Sequence, residues 1–165
     1  MPKGDPSKLR KVTVNLPFGI GGAEWEADST ERRAAWALYV QLITRISTQP
    51  LAFEQGLTRE ALNSLYSLFG STREILREAG PDVGASRSSV GGIAITVLNN
   101  GLRPFLSKWH PLLATWEARR PDNIGAKEYE EQWCYATQVR GELESLRQDL
   151  GQYANALAKI AGIDL

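Results

Sequence analysis

Apolar residues recur at spacings of three and four along most of this chain, and at a spacing of two in one stretch near its start. That stretch is KVTVNLPF (Lys11–Phe18), where Val12, Val14 and Leu16 alternate with polar residues, the period of a half-buried strand. GIGG follows as a turn, and AEWEA, carrying Trp25, predicts a short return strand. A lone hairpin is marginal in water, so the segment must either cover the helices or add to another chain.

The remainder reads as helix. Asp28 is placed to cap a first helix with Glu31 in the capping-box position, and Trp36, Tyr39, Val40, Ile43 and Ile46 form its stripe up to Pro50. A second helix starts near Thr58, buries Leu62, Leu65, Phe69 and Leu76, and ends at AGPD. A third, from about Ser88 to Arg119, sets Leu98, Leu102, Phe105, Trp109, Leu112 and Trp116 on a heptad seam. After RRPDNIG a fourth, roughly 35 residues long, carries Ala136, Val139, Leu143, Leu146, Leu150, Tyr153, Leu157 and Ile160 at the same spacing. Short connections between four amphipathic helices predict an all-α, four-helix antiparallel (up-down) bundle over residues 28–165, with a β-prone extension over residues 1–27. Antiparallel pairing of the last two helices predicts Trp116 near Tyr129 and Leu112 near Trp133. At a rise of 1.5 Å per residue the last two helices outrun the first two by roughly 15 Å. That overhang needs a cover, either the segment with Phe18, Ile20 and Trp25 or another polypeptide.

The third helix holds the chain's only histidine, in NNGLRPFLSKWHP (residues 99–111). On the heptad seam, Pro104 and Pro111 fall on the outward face, where prolines bend a helix around its core. Asn100, Arg103, Ser107 and His110 then form an outward polar ridge. Leu106, Ser107 and Ala114 lie one turn from His110, so no acid on this helix orients the imidazole for general-base work. The ridge therefore reads as a partner-binding surface. The pattern leucine-asparagine, leucine-arginine-proline, tryptophan-histidine-proline in this helix resembles one carried by a group of bacterial helical proteins with no established activity. The resemblance implies a bacterial origin and an accessory role beside other gene products, and it transfers no catalytic residue.

Charge and composition narrow the chemistry. The 165 residues carry 19 basic and 19 acidic side chains, so nothing draws the chain as a whole to nucleic acid or an anionic membrane. The basic cluster Lys3, Lys8, Arg10 and Lys11 sits at a terminus, where chains usually fray. Cys134 is the only cysteine, which excludes an intrachain disulfide; beside Trp133 it reads as buried filler. The tryptophans on the helical seams read as core anchors. No apolar run approaches the roughly 20 residues of a membrane span, and a cytoplasmic location is expected. Glutamates crowd the fourth helix, but no Glu-x-x-His pair supplies a di-iron site. Acids at Glu24, Glu26 and Asp28 oppose a phosphate loop at GIGG. No metal and no cofactor is expected.

Two functions remain open. The first is a non-catalytic protein–protein interaction module, an adaptor or accessory subunit that binds another protein or itself. It would use the ridge (Asn100, Arg103, Ser107, His110) or the strand residues Val12, Val14 and Leu16. The alternative is a small-ligand or nucleotide-responsive protein or minimal enzyme. It would bind an anion at a helix start through Arg87, Ser88 and Ser89, with arginines such as Arg73 and Arg77.

Overall fold

The alternating segment does form a strand, and its partner is its own neighbour. In the computed structural model, which describes residues 10–45 and 55–163, β1 (Arg10–Leu16) pairs antiparallel with β2 (Gly21–Ala27), Val12 opposite Trp25 and Val14 opposite Ala23. The turn uses positive φ at Phe18 (58°), Gly19 (77°) and Gly21 (83°), the left-handed region that glycine tolerates best. Period-two patterning puts Val14, Leu16, Trp25 and Ala27 on one face, where all four are buried. That face lies against α6 (Ala136–Ala161), so the hairpin belongs to the same core as the helices. No helix among the described residues is long and apolar enough to cross a membrane.

The protein is otherwise predominantly helical. Helix α1 (Ser29–Ile43) starts at Asp28, whose Oδ1 accepts the Glu31 N–H at 2.8 Å. Glu31 does not complete a capping box; its Oε1 accepts the Val90 N–H at 3.3 Å and so caps a different helix. The buried face is Ala34, Ala35, Leu38, Tyr39 and Leu42, and the expected stripe is partly outward: Trp36 is 50% and Ile43 39% exposed. The small Ala34 and Ala35 let α1 approach α6 closely, which decides the face over bulk hydrophobicity. Trp36 is thus no core anchor, whereas Trp25, Trp109 and Trp133 are. Ile46 and Pro50 lie outside the described residues, as do Lys3 and Lys8.

Helix α2 (Thr58–Ala79) buries Leu62, Leu65 and Leu68, with Phe69 only half-buried, and ends at Gly80 (φ 89°) before a 3-10 turn, Pro81–Gly84. The third helical stretch is one continuous rod in three parts. They are α3 (Val90–Thr96), a π-helical turn (Val97–Leu102) and α4 (Arg103–Glu117). The Arg103 N–H reaches the Leu98 carbonyl, five residues back, and Pro104, which has no N–H to give, follows at once. A π turn inserts one extra residue, and the buried stripe shows it. The stripe runs Val90, Ile93 and Val97, jumps five to Leu102, then continues Leu106, Trp109 and Leu113. The expected seam is corrected accordingly: Leu98 and Phe105 are half-buried and Leu112 is 38% exposed. Both prolines do face outward.

The fourth helix is not continuous. A short α5 (Ala126–Glu131) is separated from α6 by a break at residues 132–135, in which Cys134 is exposed rather than buried. Trp116 stacks on Tyr129 as expected, with ring centroids 4.3 Å apart and planes 5° from parallel. Its Nε1–H also donates to the Tyr129 carbonyl at 3.0 Å. Trp133 packs edge-to-face on Trp109, at 5.8 Å.

Candidate docking groove between α2 and α4

Residues seven apart lie on one face of a helix, about 10 Å along its axis. Helix α2 carries Arg59, Tyr66 and Arg73 at that spacing, and α4 carries Arg103, His110 and Glu117. The two rows run antiparallel beside one another. Arg59 at the start of α2 meets Glu117 at the end of α4: its Nε and Nη2 donate to Glu117 Oε1 at 3.0 and 2.6 Å. Tyr66 stands edge-on to His110, with ring centroids 5.9 Å apart and planes at 89°. Phe69 lies under the Arg103 guanidinium, 4.9 Å from its carbon to the ring centroid. Between the rows is an open groove of about 680 Å³, its apolar floor and walls made by Tyr66, Phe69, Leu106 and Pro111 and its polar rim by Arg73, Arg103, Ser107 and His110.

His110 is the hinge of this arrangement. Arg59 Nη1 lies 2.7 Å from His110 Nδ1. A guanidinium only donates, so Nδ1 accepts and the imidazole is neutral with its proton on Nε2. Burial first, and the Arg59 charge second, hold His110 below its ordinary value of 6.5, with Glu117 acting in the other direction. Nε2 itself is buried and has no hydrogen-bond partner among the described residues. The groove thus has a closed end, where Glu117 neutralises Arg59, and an open end. Among the described residues no carboxylate pairs with Arg73 or Arg103; Arg103 Nε donates only to Asn99 Oδ1, at 3.2 Å.

No protein-family model, curated protein or solved structure matches the chain.

Of the ridge residues expected to bind a partner, Arg103, Ser107 and His110 line the groove, whereas Asn100 is exposed outside its lining. His110 is half-buried rather than surface, because α2 covers the side that the seam reading left open. Its orienting partner, Arg59, comes from 51 residues away, which no local spacing displays. Arg59, Tyr66 and Arg73 were legible only as a seven-residue repeat of polar and aromatic positions beside the apolar stripe of α2. Of the strand residues, Val14 and Leu16 are buried in the chain's own core and Val12 is packed against it.

The anion-binding alternative meets a helix start that is already furnished. Ser89 Oγ accepts the Gly92 N–H at 3.1 Å and donates to the Ser86 carbonyl at 2.6 Å, and the Val90 N–H goes to Glu31. Ser88 Oγ faces Ser86 Oγ at 3.3 Å, and Arg87 is exposed. Glu31 thus puts a carboxylate where the anion would sit. Among the described residues no three His, Cys, Asp or Glu side chains gather as they would for a metal ion.

Proposed function

We propose that this protein is a non-catalytic protein–protein interaction module whose docking surface is the groove between α2 and α4. The observation that carries this reading is the groove's composition: a continuous apolar floor beside two guanidiniums that no carboxylate of the described chain neutralises. Interfaces favour this mixture, with aromatic and arginine side chains at the centre and lysine depleted. His110 supports docking over catalysis, since its Nδ1 is held by a cation and no nucleophile shares a hydrogen bond with it. The same reading takes the helices as an up-down bundle, a rigid frame that holds the groove open without a partner; the antiparallel run of α2 and α4 supports it. An adaptor or accessory role follows from such a surface.

The test is site-directed photo-crosslinking in the native host. A photoreactive phenylalanine analogue in place of the exposed Tyr66 should trap a discrete protein, and the same analogue at the exposed Gln148 on α6 should not. Trapping that is equal at both positions, or that is absent at Tyr66, overturns the reading.

A further inference from the structure

We infer that the occupant of this groove is an acidic amphipathic helix of a partner protein, a step that rests on the docking reading and names the chemistry of its partner. Charge is the first warrant. The facing rows Arg59–Tyr66–Arg73 and Arg103–His110–Glu117 contain three arginines and one carboxylate, and that carboxylate is spent on Arg59 at the closed end. At the open end Arg73 and Arg103 line one groove with no acid between them. A carboxylate brought by the occupant would stand there as Glu117 stands at the other end, accepting from a guanidinium fork.

Shape and backbone supply the second warrant. Both walls are helices, whose backbone groups are satisfied internally, so an extended peptide would find no strand edge to pair with. A helix brings its own backbone bonds and can lie as a third rod along two antiparallel ones. Arg103 and His110 are two turns apart, about 10 Å, so an occupant helix would place an acid one or two turns from its apolar anchor. The anchor would rest on Phe69 and Leu106, beneath Tyr66. The His110 Nε2–H, held in that tautomer by Arg59 and lacking an acceptor, supplies one further donor at the anchor's end. Aromatic and arginine side chains also suit single-stranded nucleic acid. Here the groove is bounded by Glu117 at one end, and on α4 Lys108 is already engaged by Glu142 at 2.8 Å, so no basic track extends beyond the two arginines.

The test is a displayed library of helix-forming peptides of random charge, selected on the immobilised full chain. The enriched peptides should be net acidic, with an acid three, four or seven residues from an apolar or aromatic residue. They should bind R73E/R103E at least about tenfold more weakly, lose affinity as salt rises, and bind Y66A more weakly without any change in salt dependence. Both arginines are exposed, so the paired variant is expected to fold, and circular dichroism checks it; R73A/R103A serves as the milder replacement. Peptides that need Tyr66 but carry no acid overturn the acidic-helix inference and leave docking standing. Peptides indifferent to Tyr66 and to both arginines, or no enrichment at all, overturn both. A labelled single-stranded oligonucleotide that binds the wild type and not R73E/R103E would assign the groove to nucleic acid and overturn both as well.

Discussion

His110 shows how a residue's neighbours reverse its reading. From its own helix it is a surface histidine with nothing in reach; in the fold it is clamped by Arg59 and shielded by Tyr66. Because burial and Arg59 lower its pKa, the unfolded chain takes up its proton first as pH falls. The unfolded state then binds more protons between the usual value of 6.5 and the lower folded value. Stability is therefore full above 6.5 and declines as pH drops through that window. Thermal melts from about pH 7.5 to about pH 5 should show the midpoint falling, and H110Q should flatten the decline; as the chain has one histidine, no other imidazole obscures it. A second residue was invisible for the same reason. Leu57 precedes α2 and has no side chain to cap it, so the buried Glu130 does so from 72 residues away, its Oε1 accepting the Thr58 N–H at 2.7 Å. Glu130 Oε2 also faces Arg140 Nη2, at 3.4 Å. E130A removes the cap and leaves a buried guanidinium without its carboxylate, so urea denaturation should show a loss of about 3 kcal/mol. E130Q, which keeps an acceptor for Thr58, should lose less.

Among the elements, the rod from Val90 to Glu117 was legible in its extent and wrong in its phase. Leu98, Leu102, Phe105, Trp109, Leu112 and Trp116 form a flawless heptad on paper, and a regular α-helix would have buried them. The π turn before Pro104 rotates everything that follows, so the core receives Leu106 and Leu113 in their place. The signal was present in NNG, three poor helix formers ahead of a proline, but periodicity counting passes over such a defect. L113A should therefore cost about 2 to 5 kcal/mol in chemical denaturation, as a buried leucine truncation does, and L112A well under half of that. Equal costs would restore the heptad. The turn also explains Gly101, where an added Cβ would stand 2.6 Å from Cζ of Phe18, the residue at the tip of the hairpin. G101A should destabilise the wild type by about 1 to 3 kcal/mol through overpacking. In an F18A background the clash is gone, and the same change should be neutral or stabilising by up to about 1 kcal/mol, since alanine favours helix. An additive double-mutant cycle would mean that Phe18 does not clasp the π turn.

At the scale of the whole molecule, helical content and the hairpin followed from period alone, because burial of one face is a local demand that the sequence must meet residue by residue. Which helix covers which face is a matter of long-range contacts, and there the pattern fell short: the fourth helix breaks at residues 132–135, and α1 turns Trp36 outward. The hairpin's destination was open for the same reason, since a stripe of Val12, Val14 and Leu16 suits a partner's sheet as well as a neighbouring helix. The packing favours the helix. Val14, Leu16 and Trp25 are 1%, 3% and 5% exposed, in a core shared with Leu150, Leu157 and Ile160 of α6. Helix α6 thus has an apolar flank whose cover is the hairpin rather than another protein. Removing residues 1–27 should leave the helices formed but strip that flank, and an uncovered patch of this kind drives association. Light scattering should report a larger assembly than the full chain gives, and the loss of Trp25 alone, tested as W25A, should cost about 3 to 5 kcal/mol. The groove lies on α2 and α4, which the hairpin meets only at Gly101, so peptides that bind the full chain should also bind W25A while it remains folded. A truncated chain with unchanged assembly size and unchanged urea midpoint would mean that the hairpin is no part of the core. Its stripe would then again be free for a partner.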